Sequence, residues 1–420
     1  MVISGRNVQT ADLISLAEEV EEEIQPLYRK IDRQAAKNHA RVLAAFHQAR
    51  VSEFHLRGST GYGYGDQGRE TLEKVYASIF GSEEALVRGQ IISGTHAIAL
   101  CLFGVLRPGD ELLTVQGLPY DTLQEIIGIR SGVSGSLKEL GVSYRQIDLL
   151  ADGGLNWKSI AKAISNRTKM LLIQRSSGYT NRFSLKLKEM EKLIAFVKNQ
   201  RPEVVVCVDN CYGEFVEDRE PPTIGADLTA GSLIKNPGGG LAPGGGYVAG
   251  RSDYVEMAAS RWSAPGIGKH VGPAPEFQRL LFQGLYLAPH TVAEALKGAV
   301  FTARLFERLG FTVFPAYHET RTDIIQGILL GSPERLLAFC RGLQKASPVD
   351  SHVLPEPASL PGYRDQVIMA AGTFVQGASL ELSADAPLRE PYVVYLQGGL
   401  SKEYVKLAVL SAAGEALKTK

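Results

Sequence analysis

Residues 169–210 read KMLLIQRSSGYTNRFSLKLKEMEKLIAFVKNQRPEVVVCVDN, and the fold class is clearest in this stretch. It begins and ends with short apolar runs, KMLLIQ and VVVCVDN, of the kind that form buried strands. The segment between them, residues 184–198, has the length of a helix. Apolar strands that alternate with helices predict an α/β fold, built on a mostly parallel sheet that is covered on both faces.

The same alternation continues outward from this stretch, through the runs ALVR, ELLTV and GGYVAG. We therefore assign residues 56–275 to a large α/β domain. Residues 276–420 differ, because a long helical stretch is followed by the strand-like runs TDIIQGILLG, DQVIMAAG, ASLELSA and PYVVYLQGG, which are mixed with helices. This mixture predicts a smaller C-terminal α+β domain.

Residues 1–55 form a predicted N-terminal helical segment. Apolar side chains recur in it at three- and four-residue steps, which is the spacing of one helix face. These side chains are Leu13, Leu16, Val20, Ile24, Leu27 and Ile31. Pro26 predicts a kink or a division of this helix. The apolar face can pack either on the rest of the chain or on another subunit.

The composition is that of an ordinary globular protein of two to three domains. Its 420 residues carry 45 basic and 45 acidic side chains, so the chain lacks the basic surplus of a protein that binds nucleic acid or an anionic membrane. No apolar run approaches the roughly 20 residues of a membrane span, and the first ten residues lack a signal-peptide pattern. We expect a cytoplasmic protein.

The four cysteines fit neither a disulfide framework nor a paired zinc site, and we expect them to be reduced. No acidic or His/Cys cluster has the spacing of metal ligands, so the sequence predicts no metal site.

Two features early in the α/β region point to a ligand. The first is SGTHA, residues 93–97, which precedes a helical run. Small polar residues and a glycine at a helix N-terminus leave backbone N–H groups free for a phosphate, although Ser93 or Thr95 could simply cap the helix. The second is Tyr120, after the run ELLTVQ. An aromatic ring there can stack on a planar cofactor, or it can be an ordinary loop tyrosine.

Two features later in the region carry stronger chemistry. Asp209 ends the run VVVCVD, where α/β proteins place ligand-binding groups, although an aspartate there can also cap a helix. Lys235 lies in GSLIKNPGGG, close to Ser232 and to a glycine run that lets backbone approach a ligand. A lysine in an apolar context is unusual, and burial would lower its pKa and favour Schiff-base chemistry. Lys269, in GIGKHVG, is a weaker candidate because no such strand and serine precede it.

The chain resembles pyridoxal-phosphate (PLP) enzymes with the aspartate-aminotransferase fold (fold type I), within the cysteine/methionine-metabolism group of lyases. More narrowly, it is similar to the family of aluminium-resistance or methionine γ-lyase-like proteins. The matching stretches are GYGYGDQGRETLEKVYASIFGSEEALVRGQIISGTHA, VDNCYGEFVE, GADLTAGSLIKNPGGGLAPGGGYVAG and SADAPLREPYVVYLQGGL. Together they extend from about residue 55 to about residue 400.

The resemblance implies a role for each matched residue. Lys235 would carry PLP covalently, and Asp209 would pair with the pyridinium nitrogen. Tyr120 would stack on the ring. Gly94, Thr95 and Ser232 would hold the phosphate. The resemblance also implies a homodimer or homotetramer with active sites at the dimer interface, where a tyrosine from the glycine-rich loop reaches the phosphate of the neighbouring subunit. Tyr62 is the first candidate for that tyrosine, and Tyr64 is the second.

The chain departs from the better-known trans-sulfuration lyases at two places. They carry an arginine two residues after the loop tyrosine, where this chain has Tyr64. They also place an arginine for the substrate carboxylate just before a Gly-Leu turn, where this chain reads YVVYLQGGL. Arg389, a little upstream, is the nearest candidate for binding that carboxylate, or it is an ordinary surface arginine.

These expectations add up to an enzyme that acts on a small-molecule amino acid. The first hypothesis is α,β- or α,γ-elimination from a sulfur-containing amino acid, as in methionine γ-lyase or cystathionine β-lyase. The second is another reaction of the same cofactor: transamination, aldol cleavage or racemisation. The third is a nucleotide-binding α/β protein without catalytic activity, which the lack of G-K-[ST] after GYGYGDQG disfavours.

Overall fold

The computed structural model describes residues 10–130, 134–178, 184–360 and 363–419. In this part of the chain, a seven-stranded sheet has the order β1-β7-β6-β5-β4-β2-β3. Its strands are β1 (Glu84–Arg88), β2 (Glu111–Thr114), β3 (Ser143–Gln146), β4 (Thr168–Gln174), β5 (Val205–Asp209), β6 (Leu228–Ser232) and β7 (Gly246–Gly250). Only β7 runs antiparallel to its neighbours, so the mostly parallel sheet is confirmed.

The helices of the described residues are α1 (Thr10–Gln48), α2 (Gln67–Phe80), α3 (Gly94–Val105), α4 (Asp121–Ile127), α5 (Trp157–Ala163), α6 (Leu187–Gln200), α7 (Ser252–Trp262), α8 (Gln278–Arg308), α9 (Pro333–Lys345) and α10 (Lys402–Lys418). Several begin or end at residues suited to that position. The Ser93 hydroxyl caps α3 by accepting a hydrogen bond from the backbone N–H of His96 at 3.0 Å. Gly81 ends α2 in the left-handed conformation, with φ of 64°.

Alternate residues of the central strands face opposite layers of helices. Val205 and Cys207 of β5 pack in a buried cluster with residues of α3 and α7. Val206 and Val208 point the other way, into a cluster with residues of α5 and α6. Because successive side chains of a strand point to opposite faces, a run of apolar residues is what a sheet covered on both sides requires.

A second, antiparallel sheet of five strands follows in the chain, in the order β10-β11-β12-β9-β8. Its strands are β8 (Thr312–Phe314), β9 (Ile325–Leu329), β10 (Val367–Ala370), β11 (Ser383–Pro387) and β12 (Val393–Gln397). The predicted mixture of strands and helices in the last third of the chain is therefore confirmed. The domain boundaries at residues 55 and 275 stay predictions.

Helix α1 is a single helix of 39 residues in which Pro26 is included without dividing it. Of the two packing partners considered for its apolar face, the structure shows the rest of this chain. Val20 and Ile24 are fully buried in a cluster that also contains Val300 and Phe301 of α8. Among the described residues, no helix combines the length and the apolar character needed to cross a membrane.

Candidate active site

The strand ends of the larger sheet create a cavity of about 220 Å³. Gln174 ends β4, Asp209 ends β5 and Ser232 ends β6, and all three line this cavity. Gln174 and Asp209 are direct neighbours in the parallel pairing of β4 with β5. This edge, at the carboxyl ends of parallel strands, is where open α/β sheets bind ligands.

The N-terminus of α3 forms one wall of the cavity, with Ser93, Gly94 and Thr95. Ser93 caps the N–H of His96, whereas the N–H groups of Gly94 and Thr95 have no acceptor within the helix, so the capping and phosphate-binding roles are compatible. Gly94 lies against the strand ends: a Cβ atom there would be 3.0 Å from the Cys211 sulfur and 3.3 Å from Ser232 Cβ. A larger residue would narrow the cavity at this point.

Tyr120 is anchored at both ends of the residue. Its hydroxyl shares a hydrogen bond with Thr95 Oγ1 at 2.9 Å, and its backbone N–H donates to Gln174 Oε1 at 3.2 Å. Burial raises the pKa of Tyr120, and the nearby Asp209 raises it further. The phenol is therefore neutral at physiological pH and serves as a fixed, uncharged wall of the cavity.

Asp209 is 6% exposed and ends β5, and hydrogen bonds to neighbouring residues fix its position. Its Oδ1 accepts a hydrogen bond from the backbone N–H of Cys211 at 3.1 Å. Arg175, fully buried, donates from its backbone N–H to Asp209 O and from Nη1 to Asn210 Oδ1 at 2.8 Å. Glu217 and Glu220 balance the guanidinium charge. These bonds hold the carboxylate at one position in the cavity wall.

Lys235 follows β6 by three residues and lines the cavity with Asp209 and Ser232. Within the described residues, its Nζ has neither a hydrogen bond nor a carboxylate within 4.0 Å. It lies 4.0 Å from the centroid of the Tyr212 ring. The amine is thus held next to an aromatic face and is available for covalent chemistry.

The pKa of this free amine corrects a prediction. Burial alone would lower the pKa of Lys235, as the sequence led us to expect. The acidic groups of Cys211, Tyr212 and Asp209 outweigh burial, and the pKa is raised above its ordinary value. The prediction of a lowered pKa is therefore wrong for the free amine of Lys235. The fold brings acidic groups close to this amine, and their positions could not be read from the sequence.

The competing lysine has a structural role. Lys269 Nζ forms an ion pair with Glu84 at 2.6 Å in a short 3₁₀ turn, residues 268–270, and does not line the cavity.

Three predicted site residues lie outside the cavity lining. Tyr62 and Tyr64 are each 73% exposed on the loop before α2, with ring centroids 5.5 Å apart. Arg389 is half-exposed and pairs with Asp365 at 3.0 Å. The roles of these three residues stay predictions, as do the roles of the six that line the cavity.

Several lining residues were not found from the sequence. Cys211 and Tyr212 come two and three residues after Asp209 and could have been found by reading further along VDNCY. Thr122, Ser176 and Ile234 also lie next to residues or strand ends that the sequence singled out. Tyr363 comes from the C-terminal part of the chain, and no sequence pattern connects it to the cavity.

A buried carboxyl lies behind the cavity. Glu214 accepts a hydrogen bond from the Tyr247 hydroxyl at 2.8 Å. Burial raises its pKa to about 8, which the hydrogen bond and the charge of Lys235 only partly oppose. All four cysteines are free and buried, in agreement with the sequence. Among the described residues, no group of three or more His, Cys, Asp or Glu side chains is arranged to hold a metal ion.

Comparisons with known proteins cover almost the whole chain. A family model described as methionine gamma-lyase matches residues 13–417. The Bacillus subtilis protein YnbB, described as uncharacterized, is 53% identical over 397 residues, which is 94% of each chain. A Listeria monocytogenes structure, provisionally named a cystathionine beta-lyase involved in aluminium resistance, is 52% identical with a TM-score of 0.93. It covers 96% of this chain and 99% of its own.

Two further structures extend the comparison. A Clostridium novyi structure, named a carbon-sulfur lyase involved in aluminium resistance, is 47% identical over 97% of this chain and 96% of its own, with a TM-score of 0.93. A pyridoxal-5'-phosphate dependent protein, YhfS from Escherichia coli, is only 18% identical, yet it has a TM-score of 0.62 over 91% of this chain and 96% of its own. At that identity the likeness shows a shared fold.

Proposed function

The chain belongs to the methionine gamma-lyase family, and from this membership we propose that it is a PLP-dependent lyase that eliminates a sulfur-bearing group from an amino acid. The observation that carries the proposal is the arrangement around Lys235. Its amine lies in one cavity with the carboxylate of Asp209, the ring of Tyr120 and the N-terminus of α3. Each of these groups matches one part of the cofactor.

The residues present fit pyridoxal phosphate. The free N–H groups of α3 and the hydroxyl of Ser232 suit a phosphate, and the absence of a side chain at Gly94 lets the helix end lie directly against Ser232. The neutral ring of Tyr120 suits a flat heteroaromatic ring. The fixed carboxylate of Asp209 suits a protonated pyridine nitrogen, and the amine of Lys235 suits an aldehyde.

When bound, pyridoxal phosphate supplies an electron sink for negative charge at the substrate Cα. The chain supplies the rest. Asp209 would hold a proton on the pyridine nitrogen, and Lys235 Nζ, as a neutral free amine, would take the proton from Cα. Nζ would then carry that proton as an ammonium and could pass it to the departing sulfur. The sulfur group would leave as a thiol, and addition of one water molecule to the remaining unsaturated amino acid would yield a 2-oxo acid and ammonia.

Substrate recognition uses the remaining lining residues. Apart from Lys235, no lysine or arginine is among the described residues that line the cavity. The substrate carboxylate therefore depends on hydroxyl and amide donors of the lining, such as Gln174 and Tyr363, or on Arg389. Arg389 would first have to leave Asp365.

The first test replaces the lysine. Lys235→Ala should lose the visible absorbance band of lysine-bound cofactor, and it should lose at least about a hundredfold of the 2-oxo acid release, since proton transfer alone is worth that much. The matched control is Lys269→Ala, which removes a lysine outside the cavity and should keep both properties. A Lys235→Ala protein that retains the band and the activity would disprove the assignment.

A substrate screen separates elimination from other reactions of the cofactor. Sulfur amino acids are supplied one at a time, and 2-oxo acid, ammonia and free thiol are measured without any added amino acceptor. Elimination releases all three in equal amounts. Transamination instead requires a 2-oxo acid acceptor and releases no ammonia, so a strict acceptor requirement would replace the lyase proposal with that alternative.

A further inference from the structure

Tyr212 has a backbone conformation that its residue type disfavours. Its φ is +72°, in the left-handed region that glycine and, less often, asparagine or aspartate adopt. It lines the cavity, three residues after Asp209. Strained residues of this kind persist where the surroundings hold them in place, and they concentrate at functional sites. The conformation raises the question of what the Tyr212 ring does.

The surroundings of Tyr212 do hold it in place. Asn210 donates from Nδ2 to Glu220 Oε2 at 3.1 Å and accepts from Arg175 Nη1 at 2.8 Å. On the other side, a Cβ atom at Gly213 would lie 2.4 Å from Arg175 Cδ. The buried guanidinium of Arg175 thus packs against the turn on both sides of Tyr212, and the backbone of this residue cannot change conformation without disturbing an ion-pair network.

The ring of Tyr212 provides a surface for one group, the amine of Lys235. Nζ lies 4.0 Å from the ring centroid, well within the 6 Å range of a cation–π contact. In the described part of the chain, Nζ makes no hydrogen bond or ion pair that would compete with this contact. The π face of a ring attracts a compact ammonium more strongly than it attracts the same lysine nitrogen in a covalent imine, whose charge is shared with the cofactor.

From this geometry we propose that the ring of Tyr212 is the resting place of the Lys235 ammonium while a substrate amine occupies the cofactor. Tyr212 is then a positioning residue, because it acts through Lys235 and stabilises the displaced state of that lysine. This inference rests on the proposed function. It adds that the equilibrium between the cofactor-bound and the displaced lysine is set partly by an aromatic face.

Other groups face the same amine, from the strand ends, the loops and the C-terminal part of the chain. They are Asp209, Cys211, Glu214, Tyr120 and Tyr363. All measurements are therefore compared at one pH, and the ring is replaced without touching any of these groups.

The test measures displacement without turnover. α-Aminoisobutyrate has no Cα proton, so it can take the place of Lys235 on the cofactor and go no further. Its half-saturating concentration is read from the visible spectrum of the loaded protein. Tyr212→Leu should raise that concentration by about tenfold, the size of a partly desolvated cation–π contact. Tyr212→Phe keeps the ring face and should change that concentration far less than Tyr212→Leu does.

A second background separates the proposed contact from a merely structural effect. With Lys235→Ala there is no ammonium to hold, so adding Tyr212→Leu should leave the α-aminoisobutyrate concentration unchanged. An equal tenfold effect in both backgrounds would mean that Tyr212 contacts the ligand or shapes the fold, and the inference would be wrong. No effect in either background would also overturn it.

Two further measurements separate a failure of this inference from misfolding and from a failure of the proposed function. Tyr212→Gly removes the ring and relieves the positive φ, so it should be well folded in thermal unfolding and should still show the tenfold effect. Wild-type protein that forms no lysine-dependent band with pyridoxal phosphate would instead contradict the proposed function itself.

Discussion

Gly94 lets the N-terminus of α3 pack directly against Cys211 and Ser232. Gly94→Ala would place a methyl group 3.0 Å from the Cys211 sulfur and 3.3 Å from Ser232 Cβ, and would push this proposed phosphate-binding helix end away from the strand ends. We expect the affinity for pyridoxal phosphate to fall by about tenfold or more, since an added methyl in a packed site costs about 1–3 kcal/mol. Equilibrium titration of the apoprotein with pyridoxal phosphate measures this affinity.

The control for Gly94→Ala is the same substitution at Gly414. That glycine lies in α10 with no atom within 4 Å of a Cβ atom built on it. Gly414→Ala should leave cofactor affinity unchanged and should stabilise the fold by up to about 1 kcal/mol, the difference in helix propensity. Unchanged affinity in Gly94→Ala as well would remove the phosphate from the N-terminus of α3.

At the residue scale, the sequence identified those site residues whose position follows from a strand. Asp209 and Ser232 end apolar runs, and Lys235 follows shortly after one, so their common edge could be predicted. Tyr363 could not be predicted, because only the folded chain brings residues so far apart into contact. The proposed role of Tyr212 depends on a positive φ, and a tyrosine in a sequence gives no indication of that backbone conformation.

At the element scale, periodic and apolar patterns located most helices and strands, and their ends moved by a few residues. The helix expected at residues 184–198 is Leu187–Gln200. The short edge strand β3 was missed because SYRQ is polar and only partly buried, which leaves no apolar run to read. Pro26 did not divide α1, since packing on α8 along the whole apolar face outweighs one lost hydrogen bond.

The approach of α8 to the turn after Lys235 gives a prediction about elements. A Cβ atom at Gly284 of α8 would lie 2.1 Å from Gly238 O, and one at Gly239 would lie 2.2 Å from Gly284 O. Gly284→Ala must therefore push α8 and this turn apart. We expect a lower melting temperature together with weaker cofactor binding, because the displaced turn carries Lys235.

Thermal unfolding with and without pyridoxal phosphate checks the Gly284 prediction. The Gly414→Ala protein again serves as the control, since it changes a helical glycine that contacts nothing. A Gly284→Ala protein with full stability and full cofactor affinity would show that the two backbones are not as closely packed as the geometry indicates.

At the scale of the whole molecule, the unexplained feature is the pair of exposed tyrosines before α2. The loop that carries them is fixed: Arg69 Nη1 donates to Gly63 O and to Gly272 O, both at 2.7 Å. The loop is held firmly, and against the described residues Tyr62 and Tyr64 are each 73% exposed, so their rings are accessible to a second copy of the chain. We propose that one of them reaches the cofactor phosphate of a neighbouring subunit, with Tyr62 as the first candidate.

Subunit mixing decides this proposal. Lys235→Ala and Tyr62→Ala proteins are each expected to be impaired, by loss of the catalytic amine and by weaker phosphate binding. If the site is shared, a mixed dimer contains one site with an intact Lys235 from one chain and an intact Tyr62 from the other. Random reassortment of the two variants should then restore about a quarter of the wild-type sites, because half of the dimers are mixed and each has one good site of two. The test is the activity of the mixture at low cofactor concentration, and mass measurements show in parallel that the subunits have exchanged. Exchange without a gain in activity would place Tyr62 outside the site of the neighbouring subunit. Tyr64 would then be tested in the same way.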